Sequence, residues 1–113
     1  MSSTFVKYNC FVENLAEKVH NLGSDTLTVA LCAAANAPVA GNTILANLTQ
    51  ISYTNLSSRT LTTASSSQTS GTYTLAFNDL TLTASGAVAT FRYVGIYDDT
   101  PTSPADPLVG WYD

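Results

Sequence analysis

Apolar residues recur at helical spacing once in this chain and at strand spacing many times. Phe11, Leu15, Val19 and Leu22 follow one another at intervals of four, four and three, with Val12 and Ala16 beside them, which is the stripe of an amphipathic helix. Asn9 stands where an N-cap belongs, Glu13 lies near the first turn, Lys18 and His20 fall in the last turn, and Gly23 follows as a C′ residue. The pattern predicts one helix over 9–21. Downstream, Leu27, Val29 and Leu31 alternate with small or hydroxylated residues and predict a half-buried strand over 26–32. Residues 33–41 read as a loop, and Asn42-Thr43 as the cap of a short second helix through Leu48.

Beyond residue 50 the period is two almost throughout. Short strands are predicted at 50–53 and 59–64, and the serine-rich stretch 65–71 reads as a polar turn. Tyr73, Leu75 and Phe77 line one face of a strand over 72–77, and Leu80, Leu82 and Ala84 one face of another. From Thr90 to Tyr97 both faces carry bulk, Phe91, Tyr93 and Tyr97 on one and Arg92, Val94 and Ile96 on the other, so this strand is expected at the centre of its sheet. Residues 98–107 hold three prolines and three aspartates and read as a loop before a last strand, Leu108 to Tyr112. Strands 8–12 residues apart with turns between them predict a mainly β fold: an antiparallel, jelly-roll-like β-sandwich, with the helix covering an edge or face. The whole chain, 1–113, is expected to be a single domain, with 1–8 as an arm, 9–21 as the helix and 26–113 as the strands.

Composition narrows what such a domain does. Of 113 residues 45% are hydrophobic and only 11% charged, the net charge is −4, and Ser and Thr together supply 29 residues. Four basic side chains cannot neutralise a phosphate backbone, which argues against nucleic acid as a partner. No run of about 18 apolar residues exists to span a membrane. The N-terminal Met1-Ser2-Ser3-Thr4 does not lead into a secretory signal, so synthesis in a cytoplasm is expected.

Chemistry is sparse. Cys10 and Cys32 lack metal-ligand spacing; they read as buried thiols, ahead of a disulfide within the chain or between chains. His20, the one histidine, reads as a partner of the helix C-terminus rather than a catalytic base. Asp98, Asp99 and Asp106 could place oxygens around calcium, but a turn rich in Asx motifs explains them more simply. Phosphate loops and dinucleotide fingerprints are absent from the sequence. No catalytic, cofactor-binding or metal residues are therefore assigned, and no cofactor is expected. The aromatic residues Tyr93, Tyr97 and Trp111 divide between core and recognition. The last strand has no polar tail and the arm no evident core partner, so Phe5, Val6, Tyr93, Tyr97, Trp111 and Tyr112 are the candidate interface residues.

Four pieces in order carry a resemblance: Phe11-Val12-Glu13-Asn14-Leu15-Ala16 running to Val19-His20-Asn21-Leu22; Ser24-Asp25-Thr26-Leu27-Thr28-Val29-Ala30-Leu31; Tyr53 with Ser58-Arg59-Thr60-Leu61-Thr62; and Phe91-Arg92-Tyr93-Val94, Tyr97-Asp98-Asp99-Thr100 and Asp106-Pro107-Leu108-Val109-Gly110-Trp111-Tyr112-Asp113. Together they resemble small tailed-bacteriophage virion structural proteins of a head-associated, decoration-type group. Members of that group continue past the Trp-containing strand, whereas this sequence stops at Asp113. The resemblance implies a non-enzymatic role in the virion, assembled in the host cytoplasm; within a virion, a small acidic, β-rich domain of low charge fits a capsid decoration or cement protein. Its partners would be the major capsid protein, other virion proteins and further copies of itself as a homo-oligomer. The rival expectation is a tail or fibre module that binds glycan through Tyr and Trp.

Overall fold

The computed structural model of the chain describes residues 4–113. Its first element is a short strand, β1 (Phe5–Lys7), followed by one helix, α1 (Asn9–Ala16). Five strands come after: β2 (Leu27–Cys32), β3 (Thr63–Thr69), β4 (Thr72–Phe77), β5 (Tyr93–Asp98) and β6 (Leu108–Tyr112). They form two open antiparallel sheets, a four-stranded one in the order β1-β6-β5-β2 and the β3-β4 hairpin. The fold is mainly β with one helix.

Strand β5, read as central from its two bulky faces, pairs with β2 on one side and β6 on the other. Register then sorts the side chains. Opposite Ala30 stands Gly95, opposite Gly95 stands Trp111, and Thr28 faces Tyr97. This face holds the core: Tyr8, Ala30, Tyr97, Leu108 and Trp111 cluster, with Val6, Cys10, Leu45 and Leu48 packed against them. The other face carries Leu27, Val29 and Leu31 beside Val94, Ile96 and Tyr112.

Two expectations about the termini are corrected. The arm has its own partner: β1 pairs with β6, Phe5 opposite Tyr112 and Val6 opposite Trp111, and the Tyr8 N–H donates to the Val109 carbonyl at 3.2 Å. Residues 1–3 of the arm lie outside the described residues. The last strand is not an exposed edge either, since β6 runs between β1 and β5. Gly110 lets β1 approach. A Cβ there would overlap the Phe5 ring and lie 2.8 Å from the Val6 carbonyl oxygen. Gly110→Ala should therefore displace β1 at a cost of about 1–3 kcal/mol. Hydrogen exchange at residues 5–7 should accelerate first; unchanged protection there would show that β1 does not depend on this close approach.

The helix is shorter than its stripe. It ends at Ala16 because Lys18 turns left-handed at φ 66°, and the Val19 N–H closes back on the Asn14 carbonyl at 2.9 Å. That is the 6→1 bond of a Schellman closure, made here without glycine. Val19 and Leu22 thus leave the helical register, and Leu15 stays 44% exposed rather than anchoring the helix in the core. Asn9 does not cap it. Tyr8 holds the N-cap position in extended conformation, and the Asn9 N–H bonds to the Ala40 carbonyl.

Other differences follow from backbone pairing. The second helix is one 3-10 turn, Leu45–Asn47, and the Asn47 Oδ1 accepts hydrogen bonds from the Thr43 and Ile44 N–H groups. The stretch 50–61 forms no strand but shields the outer edge of β2. The Ile51 N–H donates to Leu31, the Val29 N–H to Arg59 and the Leu61 N–H to Leu27, while the Arg59 guanidinium bonds the Val29 carbonyl and stacks 3.6 Å from the Tyr53 ring centre. Residues 65–69, read as a turn, belong to β3, and the turn itself is only Ser70-Gly71. The alternation at 80–84 yields a single bridge, Leu56 to Ala84, in place of a strand.

Candidate functional site

Two features stand apart from ordinary core packing. The first is a buried acid–base cluster where the chain leaves α1. His20 Nδ1 lies 2.9 Å from Asp98 Oδ2, and both side chains are sealed from solvent. Asp98 is the last residue of β5, so its carboxylate is fixed by the central strand. Burial alone would push that carboxyl up. Hydrogen bonds from His20, Asp25 and the Thr100 N–H outweigh it and hold Asp98 below the ordinary carboxylate range. The Asp25 carboxyl is pushed the other way, by burial and by the hydrogen bond it shares with Asp98. Asp25 also accepts the Asn21 N–H at 2.8 Å. The Phe11 ring packs over His20 at 5.3 Å between centroids.

This arrangement ties residues 17–25 to the end of β5. His20 is thus not the helix-end dipole partner that the sequence suggested. Its other nitrogen, Nε2, is buried and without a partner among the described residues. Beside the cluster a groove of about 690 Å³ opens between Leu15, Val19, Asp25, Ser66, Tyr73 and Pro101. Nothing in the sequence pattern links His20 to Asp98, which stand 78 positions apart. The one signal in the sequence is that His20 is the only histidine in the chain.

The second feature is an aromatic strip on the sheet face turned away from the core. Phe5 is 42% exposed and Tyr112 38%, and their rings pack together at 4.9 Å between centroids. They border a gap lined by Leu75, Phe77 and Ile96, beyond which Tyr73 of the hairpin is 48% exposed. A second gap, about 590 Å³, continues past Val94 and Leu61 toward Leu80 and Leu82. The hairpin therefore covers this face incompletely, and large apolar side chains remain at the margin.

The six candidate interface residues divide between the two faces. Phe5 and Tyr112 lie on the exposed strip. Tyr97 and Trp111 are buried in this chain's own core, where Trp111 packs on Tyr8 at 4.7 Å, and Val6 and the half-buried Tyr93 flank them. Burial makes Trp111 and Tyr97 core supports rather than surface anchors. Tyr73, which reads in sequence simply as one residue of a strand face, joins the exposed set because β4 stands at the sheet margin.

The remaining candidates are placed as follows. Cys10 and Cys32 are both free thiols, Cys32 buried and Cys10 half-buried with its sulfur 3.6 Å from the Thr43 carbonyl oxygen. Burial pushes both thiols up, so they stay protonated. The three loop aspartates do not converge. Asp98 turns inward to His20, whereas Asp106 is pushed up by burial and by a hydrogen bond shared with Asp99. Among the described residues no group of three His, Cys, Asp or Glu side chains is placed to hold a metal ion, and no helix is long and apolar enough to cross a membrane. Compared with known proteins, the chain matches no family model, no curated protein and no solved structure.

Proposed function

We propose that this chain is a non-enzymatic structural component of a tailed-bacteriophage virion. In this reading it is a capsid decoration or cement protein that docks on the major capsid protein or other virion proteins and on neighbouring copies. The observation that carries the proposal is the exposed Phe5–Tyr112 strip, with Tyr73 exposed across the neighbouring gap, on a chain with only 11% charged residues. Contiguous apolar surface with a polar rim marks interaction sites, and tyrosine anchors interfaces well. The sequence resemblance to head-associated proteins supplies the virion as the setting. The jelly-roll-like sandwich belongs to the same proposal: the hairpin is its partial second layer, completed by strands of neighbours on the lattice.

A glycan-binding tail module would draw on Tyr97 and Trp111 for stacking, and their burial disfavours that reading. Quantitative mass spectrometry of purified particles separates the alternatives. Hundreds of copies of this chain per particle are expected. A handful would point to tail or fibre, and none would refute the virion role.

A further inference from the structure

We propose that two copies of this chain pair through β3, antiparallel and about a two-fold axis at Ser66, joining their hairpins into one four-stranded sheet. The backbone carries the proposal. Ser70 and Gly71 both have positive φ, 50° and 84°, which makes the hairpin loop a two-residue type I′ turn. Thr69 and Thr72 then face each other as a hydrogen-bonded pair. Alternate residues 69, 67 and 65 thus direct N–H and C=O groups to β4, while Gln68 and Ser66 direct theirs outward. No other backbone group of the described residues bonds that outer edge, and all seven residues of β3 are exposed.

Exposed edges of this length are ordinarily blunted by a charge, a proline or cover. Of the other long edges, that of β4 is open too, but its sequence Thr-Tyr-Thr-Leu-Ala-Phe does not read alike in both directions, and that of β2 is covered by residues 50–61 and Arg59. β3 has no such protection: from Thr60 to Phe77 there is neither a charged residue nor a proline. The only irregularity is a bulge at its start, between Thr63 and Ser65.

A second copy is the occupant that the side chains fit. Around Ser66 the strand reads Thr-Ala-Ser-Ser-Ser-Gln-Thr, which is almost the same in both directions. An isologous antiparallel pair places Ser66 opposite Ser66, Ser65 opposite Ser67 and Thr63 near Thr69. Hydroxyl pairs across strands are favourable, and no like charges meet despite a net charge of −4 on each chain. Ser66 Oγ bonds the Tyr73 hydroxyl at 2.6 Å on the groove side of the hairpin, away from the backbone edge that the partner strand would meet.

The test is the solution mass of the full chain by light scattering, read beside cysteine crosslinking. Wild type is expected at twice the 11.9 kDa chain mass. Ser66→Lys, which brings two cations together on the axis, should halve that mass while keeping the native circular dichroism. Thr74→Lys, on β4, should leave it unchanged. Ser66→Cys should give a covalent dimer on mild oxidation, because Cα atoms of a hydrogen-bonded antiparallel pair stand about 5.5 Å apart, within disulfide reach. Wild type, with Cys10 and Cys32 alone, should give none. A wild-type monomer at high concentration with no Ser66→Cys crosslink overturns the pairing, and so does a dimer indifferent to Ser66→Lys. Self-pairing requires only the folded chain, so either failure leaves the virion reading in place.

Discussion

Trp111→Ala is expected to cost about 3–5 kcal/mol, a large part of the stability of a domain this size. The indole is 8% exposed and packs at a tilt against the fully buried Tyr8, with Ala30, Tyr97 and Leu108 completing the cluster. Its loss would open a cavity that rigid sheet neighbours cannot fill, and would loosen β1 and α1, which reach the sheet through Tyr8 and β6. Calorimetry should show a melting temperature lowered by about 10 °C or more. A change of only a degree or two would mean that the aromatic cluster is not the centre of the core.

Asp98→Ala should also destabilise the fold, for a different reason. It leaves the buried His20 Nδ1 without its acceptor and takes the same partner from the Thr100 N–H at the rim of the cluster. Leaving a buried donor without its charged acceptor typically costs about 1–3 kcal/mol or more, and the packing of the carboxylate is lost as well. The pH dependence distinguishes this from simple loss of packing. The Asp98 carboxyl is held below its ordinary value in the fold, so the unfolded chain binds its proton more readily. The stability it contributes is therefore complete above the unfolded value of about 4 and is lost as pH falls through the folded value. Asp25, pushed up, has the opposite sign: its contribution is complete below the unfolded value and is lost as pH rises through the folded one. Wild type and Asp98→Ala should thus differ most near neutral pH and converge in acid. A gap that stays constant into strong acid would remove the electrostatic account of the pair.

The legible parts of the fold are those where apolar residues alternate against a buried face. β2, β4, β5 and β6 announce themselves this way, and β5 reveals its central place because Tyr97 and Ile96 load opposite faces. β3 has no apolar alternation to read. It is specified by the left-handed Ser70-Gly71 turn and by its pairing to β4, which a rule based on hydrophobic period sees only as polarity. At 80–84 the reverse holds: Leu80 and Leu82 alternate because they line the gap beneath the hairpin, not because a neighbour strand pairs there. The helix stripe runs past the true helix end because a lysine, not a glycine, takes the left-handed position. His20 and Asp98 are brought together by topology alone. So are Phe5 and Tyr112, each visible in sequence as an apolar terminal residue, whose shared exposure follows from the β1–β6 register.

The central claim is that the Phe5–Tyr112 strip is the surface that binds the particle. Rebinding of purified protein to particles lacking it, for wild type and for Phe5→Ser with Tyr112→Ser, tests this most directly. Wild type should restore full occupancy, and the double variant, folded by circular dichroism, should lose most of it. Full occupancy by the double variant would contradict the account.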